Sequence, residues 1–136
     1  MPVRLALSMA VLYLCLAPVL SAQDAAKVDP KHYKVVSEND QVRVLKVHYG
    51  PHEKSVMHSH PAGVAVFLTD AKGQFTFPDG KKQDFAAKAG DTQWEAGVTH
   101  LPENTGDKPM ELVLVELKGK APAAKPATKP AKTEKK

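Results

Sequence analysis

His58 and His60 stand two residues apart in the run Met57-His58-Ser59-His60-Pro61. In an extended chain side chains alternate between faces, so both imidazoles point the same way and can converge on one point. Two ligands of a metal ion must do that. A helix would set the pair about 200° apart, and Pro61 disfavours the α region for His60. A lone H-x-H also arises by chance in polar surface turns. The metal reading therefore needs a third ligand from elsewhere in the chain, and His100 is in place to supply it.

These histidines need extended segments to hold them, and the chain offers many. Strands are expected at Tyr33–Val36, Val42–Tyr49, around His58, Val64–Leu68, Gln74–Phe77, Lys81–Ala86, Thr92–Glu95 and Glu111–Leu117. Turn residues punctuate them at Gly50-Pro51, Asp70–Gly73, Pro78-Asp79-Gly80, Ala89-Gly90-Asp91 and Asn104–Asp107, where Pro presets φ and Gly accepts positive φ. No stretch after the first 22 residues carries a helical apolar period. About eight short strands with regular turn signals predict an all-β sandwich or barrel. Residues 33–117 hold this one domain, preceded by a polar lead-in at 23–32.

The two ends of the chain read differently. Residues 1–22 carry Arg4, a nearly continuous apolar run from Leu5 to Leu20, then Ser21 and Ala22. That is the pattern of a secretory signal, and it predicts an exported protein, periplasmic or secreted. Cys15, the only cysteine, lies inside this run, so the processed chain has no disulfide and no thiol chemistry. Residues 118–136 are lysine, alanine and proline, with seven lysines and one acid. Such a composition predicts a disordered tail, either a solubilising extension or a contact for an anionic envelope surface. Between Val28 and Leu117 there are ten basic and thirteen acidic residues, a balance near −3. The net charge of +4 therefore belongs mostly to the tail, and no nucleic-acid surface is expected on the barrel.

Around the third histidine the sequence reads Gly90-Asp91-Thr92-Gln93-Trp94-Glu95-Ala96-Gly97-Val98-Thr99-His100-Leu101-Pro102-Glu103-Asn104. With the first stretch this resembles the cupin superfamily. His58 and His60 match the H-x-H of its first motif, and Gly90, Gly97, His100 and Asn104 match its second. The resemblance covers roughly Val42 to Leu117 and implies a double-stranded antiparallel β-barrel of the jelly-roll type with a metal inside. The departures are local. His52 stands at the first-motif glycine, Glu95 at the second-motif proline, and Gly73 closes the first motif late. The family's ligating glutamate falls at Val64 or Ala65, both apolar. What the resemblance then implies is a three-histidine set of His58, His60 and His100, as some cupin oxygenases use.

Such a set suits a divalent Fe, Zn, Ni, Cu or Mn ion and leaves its full +2 charge uncompensated, which favours an anionic or enolate-like ligand. Glu95, five residues before His100, is either a ligand or base that swings in or a plain solvent-facing strand residue. Gln93 and Trp94 point to opposite faces, so one of them lines the pocket; Val64 is expected to line it as well. His48 and His52 are read as surface histidines, and His32, near the chain start, as having no part in the site. The functional expectation is an exported small cupin that binds, or acts in a dioxygenase-like way on, a small acidic or enolisable molecule. Its alternative is a non-catalytic ligand- or metal-binding module at the cell envelope. Pairing of two copies through the first strand, at the sheet edge, is expected with either.

Overall fold

The computed structural model describes residues 23–119. The expected signal segment, and the expected tail beyond Gly119, lie outside the described residues. The chain runs α1 (Ala25–Val28), β1 (Tyr33–Glu38), β2 (Val42–Tyr49), β3 (His58–Phe67), β4 (Ala71–Thr76), β5 (Lys82–Ala87), β6 (Thr92–Asn104) and β7 (Met110–Leu117). The strands form one antiparallel sheet in the order β1-β2-β7-β3-β6-β4-β5. Tyr33 on one edge strand and Phe85 on the other line the same cavity. The sheet therefore rolls until its two ends face each other, which makes it the expected double-stranded barrel. Leu45, Val47, Tyr49, Phe67, Met110 and Leu114 pack its interior.

Seven strands stand where eight were expected. The stretch around His58 and the apolar run after it form one strand, and the strand from Thr92 continues through His100 to Asn104. The expected turn at Asp70–Gly73 is already strand from Ala71 onward, and the Phe85 ring lies where a side chain on Gly73 would stand. The turn at Pro78-Asp79-Gly80 is in place, with Gly80 at φ 82°. The one-turn helix α1 was not expected. Asp24 caps it, its Oδ1 accepting from the Ala26 amide at 3.0 Å, and Ala25 is fully buried. Four residues are too few to show a helical period.

A change of phase in β3 and β6 sets which side chains face inward. The two strands pair with a constant register, His58 opposite His100 and Ala65 opposite Gln93. Yet the cavity is lined by His60 and then Ala65 and Phe67 on β3, and by Gln93, Glu95 and then His100 on β6. Even-numbered residues face inward at one end of the pair and odd-numbered ones at the other. The change falls between the pairs His60–Val98 and Gly63–Glu95, where Gly97 takes φ +96°. An L side chain avoids that conformation and glycine does not.

Gly63 sits just past this change, opposite Glu95 on one side and Glu116 on the other. A Cβ there would lie 2.3 Å from the Val115 carbonyl oxygen. Gly63→Ala forces backbone apart in the middle of the barrel and should cost about 1–3 kcal/mol. Denaturant unfolding of the variant checks this; an unchanged midpoint would mean that the β3–β7 contact gives way freely.

Candidate metal centre

The β3–β6 register places His58 and His60 on one strand beside His100 on the next. All three are buried, and one ligand atom of each lies within 4.8 Å of the others. The rings are mutually near-perpendicular, at 83°, 89° and 82°, with centroids 4.7–5.5 Å apart. Phe75 stacks on His100 at 4.6 Å, and Tyr33 packs against His58 at 4.8 Å and His60 at 5.3 Å. Aromatic side chains thus fix the ring planes.

Hydrogen bonds fix the tautomers. His60 Nδ1 donates to Glu116 Oε1 at 2.7 Å, and His58 Nδ1 donates to the Val56 carbonyl at 2.8 Å. In the neutral form each ring then presents an unprotonated Nε2 inward, and these two atoms are 3.0 Å apart. Two lone pairs at that distance repel unless a cation or a shared proton lies between them. His100 Nε2 is buried with no hydrogen-bond partner, and an unpaired buried polar atom is costly. Burial lowers the pKa of His58 to about 4, with the His60 imidazole adding to the effect. Burial, then His60 and His58, lowers that of His100 to about 3. Both rings are neutral at pH 7, the state a metal ligand requires. The donor set fits a divalent metal ion.

Polar groups outside the ring triad extend in two directions. Glu116, on β7 and 1% exposed, also accepts from Arg43 Nε at 2.7 Å; Arg43 in turn reaches Asp24 at 2.6 Å. On the other side Ser55 lies 3.2 Å from His58 Nδ1 and donates to Asp29, which is 2.6 Å from His32 Nδ1. His32 lies outside the group of ligand atoms. It is buried, stacked on Tyr49 at 4.2 Å, with Glu53 at 3.2 Å from its Nε2. His48 and His52 are exposed, beside Glu111 and Asp107. His52 adopts φ 57° at the motif's glycine position, an αL conformation that non-glycine residues adopt only at some cost.

The remaining expected residues divide by the phase change. Gln93 and Glu95 line the cavity. Val64 and Trp94 do not: they pair with each other across β3 and β6, with Trp94 44% exposed. Counting alternate positions from His60 or back from His100 puts both inside, and the shift at Gly97 puts their neighbours there instead. Of the two positions where the family's glutamate falls, Ala65 faces the cavity. Burial raises the pKa of Glu95; the His60 imidazole lowers it and Glu116 raises it. Among the described residues, the grouped ligand atoms are those of the three histidines, without Glu95. Asn104, matched by the motif, serves the fold: its Nδ2 donates to the Gly50 and Lys108 carbonyls at 2.9 and 2.8 Å. The cavity beside the rings is otherwise apolar and holds about 40 Å³, enough for roughly two or three waters.

The model of the family described as the cupin domain matches residues 45–116. No curated protein matches the chain. Among solved structures, a cupin domain from Bordetella pertussis Tohama I is 24% identical, over 64% of this chain and 92% of its own, with a TM-score of 0.59. A double-stranded β-helix protein from Klebsiella pneumoniae is 24% identical, over 64% of this chain and 76% of its own, with a TM-score of 0.52. An RmlC-like cupin from Methanocaldococcus jannaschii is 13% identical, over 62% and 77%, with a TM-score of 0.51. These likenesses show the fold.

The lowered histidine pKa values fix a pH dependence for the metal-free protein. The unfolded chain protonates these rings near 6.5, whereas the folded chain does so only near 4 for His58 and near 3 for His100. Their contribution is complete above pH 6.5 and is lost as pH falls toward those values, by on the order of 1.4 kcal/mol per pH unit and histidine. Melting of the apo protein between pH 7 and pH 5 should show a falling midpoint. The slope should flatten in His58→Gln and His100→Gln; equal slopes in wild type and both variants would contradict the burial argument.

Proposed function

This chain belongs to the cupin-domain family, and on that premise we propose that it is an exported, metal-dependent cupin for a small acidic or enolisable molecule. The convergence of three buried imidazoles, two of them anchored from outside by hydrogen bonds at Nδ1, carries the reading. His58, His60 and His100 hold a divalent ion, which when bound supplies Lewis acidity or an oxygen-binding centre. Three neutral ligands leave its charge for an anionic guest to balance. The chain's own residues set the rest. Tyr33 lines the cavity and accepts from the Tyr49 hydroxyl at 2.8 Å, which leaves its own O–H available to a bound oxyanion. Burial pushes the pKa of Tyr33 up, with Tyr49 adding to it, so that O–H stays protonated and acts as a donor. Glu95, with its raised pKa, is the group that holds or moves a proton at the cavity wall. Apolar neighbours such as Phe67 and Leu114 exclude water.

Export and removal of residues 1–22, contact of the basic tail with an anionic envelope surface, and pairing of two copies through the exposed β1 edge belong to the same proposal. A second reading, a non-catalytic binding module, is favoured by the cavity itself. At about 40 Å³ it admits a guest of a few atoms without movement of the wall.

Elemental analysis tests the first step. Wild type should carry about one divalent ion per chain, and His58→Ala, His60→Ala and His100→Ala should each lose most of it, since two histidines hold such an ion poorly. Equal metal content in wild type and the triple variant would end the metal reading. Oxygen uptake by iron-loaded protein with diketones, phenols and thiols separates enzyme from module. Turnover that falls at least tenfold in Glu95→Gln, with metal content unchanged, supports the enzyme. Binding without turnover across the panel supports the module.

A further inference from the structure

The carboxylates that reach the two H-x-H histidines from outside trace back to one short segment before the barrel. Asp24 and Asp29 are the caps at the two ends of α1. From Asp24 the contacts run through Arg43 and Glu116 to His60. From Asp29 they run through Ser55 to His58, and through His32 to Glu53. The segment is also tied to the ligand strand directly: the Ser59 amide, between the two histidines, donates to the Gln23 carbonyl at 2.7 Å, and Asp24 bridges Ser59 in parallel register. Ala25, fully buried, pins the turn to the core. Asp24, Asp29, His32 and Arg43 all lie before residue 45, outside the part of the chain that the family model matches.

We propose that residues 23–32, with Arg43 and Glu116, are a positioning clasp for the metal centre, so that docking of this segment and binding of a divalent ion reinforce each other. The proposal rests on the three-histidine metal reading. Its physical basis is that a ligating imidazole is oriented and made more basic by the group its other nitrogen donates to. Glu116 can play that role for His60 only while Arg43 holds the rest of the carboxylate, because an uncompensated buried charge is costly. Arg43 in turn is shared with Asp24. On the second branch Asp29 anchors Ser55 beside the His58 Nδ1–H. Coupling between two sites is reciprocal, so a metal ion must stabilise the docked segment by as much as the segment strengthens metal binding. Burial, the largest single influence on Asp24, would raise its pKa. The hydrogen bond and charge of Arg43, with the Ala26 and Lys27 amides, outweigh it and hold the carboxyl below its ordinary value. Asp24 is therefore an anion when the clasp is closed.

Zn²⁺ titration of the full chain, with hydrogen exchange on the same samples, tests this. Glu116→Gln, nearly isosteric, should weaken Zn²⁺ binding about 10- to 100-fold. Asp24→Asn and Asp29→Asn should each weaken it in the same direction. Asp24→Asn combined with Glu116→Gln should be little worse than Glu116→Gln alone, because both act through one branch; two independent losses of packing would add. In wild type, Zn²⁺ should slow exchange of the amides of Asp29, His32 and Tyr33, and this protection should shrink in Asp24→Asn. Wild type that binds Zn²⁺ while its segment amides exchange at unchanged rates would overturn the clasp and leave the metal reading standing. So would folded Asp24→Asn and Asp29→Asn proteins that bind Zn²⁺ as tightly as wild type. Wild type that binds Zn²⁺ no better than the triple histidine variant would overturn both.

Discussion

Two imidazole nitrogens 3.0 Å apart, both with their lone pairs inward, set the terms for the rest of this molecule. The fold creates the conflict. Strand alternation aims His58 and His60 at one point, and antiparallel pairing brings His100 beside them. The fold also blocks the easy escapes. Phe75 and Tyr33 hold the ring planes, and the outward bonds to Val56 and Glu116 fix which nitrogen carries the proton. Burial makes charging of His58 and His100 unfavourable. A site that can neither rotate, nor protonate easily, nor expose itself to water is preorganised for a cation.

The phase change at Gly97 separates this polar end of the barrel from the rest. On one side of it the inward polar residues are histidines; on the other the cavity is lined by Ala65, Phe67, Gln93 and Glu95. Uninterrupted alternation would put Val64 and Trp94 into the cavity and take Glu95 out. It would also turn Ala65 and Phe67 toward solvent, since a slip of one residue exchanges the faces of a strand. The same local twist therefore completes the apolar core and brings an acid to the wall of the site. Gly63, with no side chain, lets β7 pass close enough for Glu116 to reach His60.

What was legible in the sequence was what depends on local spacing. The period of two across His58 and His60, the turn residues and the short apolar runs each need only neighbours along the chain. They lead to an all-β barrel, and the resemblance of the second stretch adds His100. Val64 and Trp94 were misplaced because the phase change depends on one backbone conformation, and a glycine in sequence does not say which φ it takes. His32 and Glu116 were missed for another reason. Glu116 lies 56 residues from its histidine and Glu53 lies 21 from His32, and no periodicity links positions that far apart. The nearest sequence signal was polarity itself: Asp29 and His32 in the lead-in, and Glu116 on the otherwise apolar face that carries Leu112 and Leu114.

The absent first-motif glutamate now has a structural context. Ala65 occupies its place on the cavity wall, so no carboxylate ligates from that strand. Negative charge is present nonetheless, one bond further out, at Glu116. A carboxylate that accepts from a ligand's Nδ1–H makes that ligand a better donor without filling a coordination position. A ligating carboxylate lowers the charge on the ion and occupies a site; an outer one strengthens the hold and leaves both charge and site free. With Arg43 neutralising much of Glu116, an ion held by the three histidines would keep its charge toward the cavity. In the proposed reading the Tyr33 hydroxyl, Gln93 and Glu95 are the polar wall groups that would meet an incoming anion. On that reading the small cavity would select for size, and the charge of the held ion for sign.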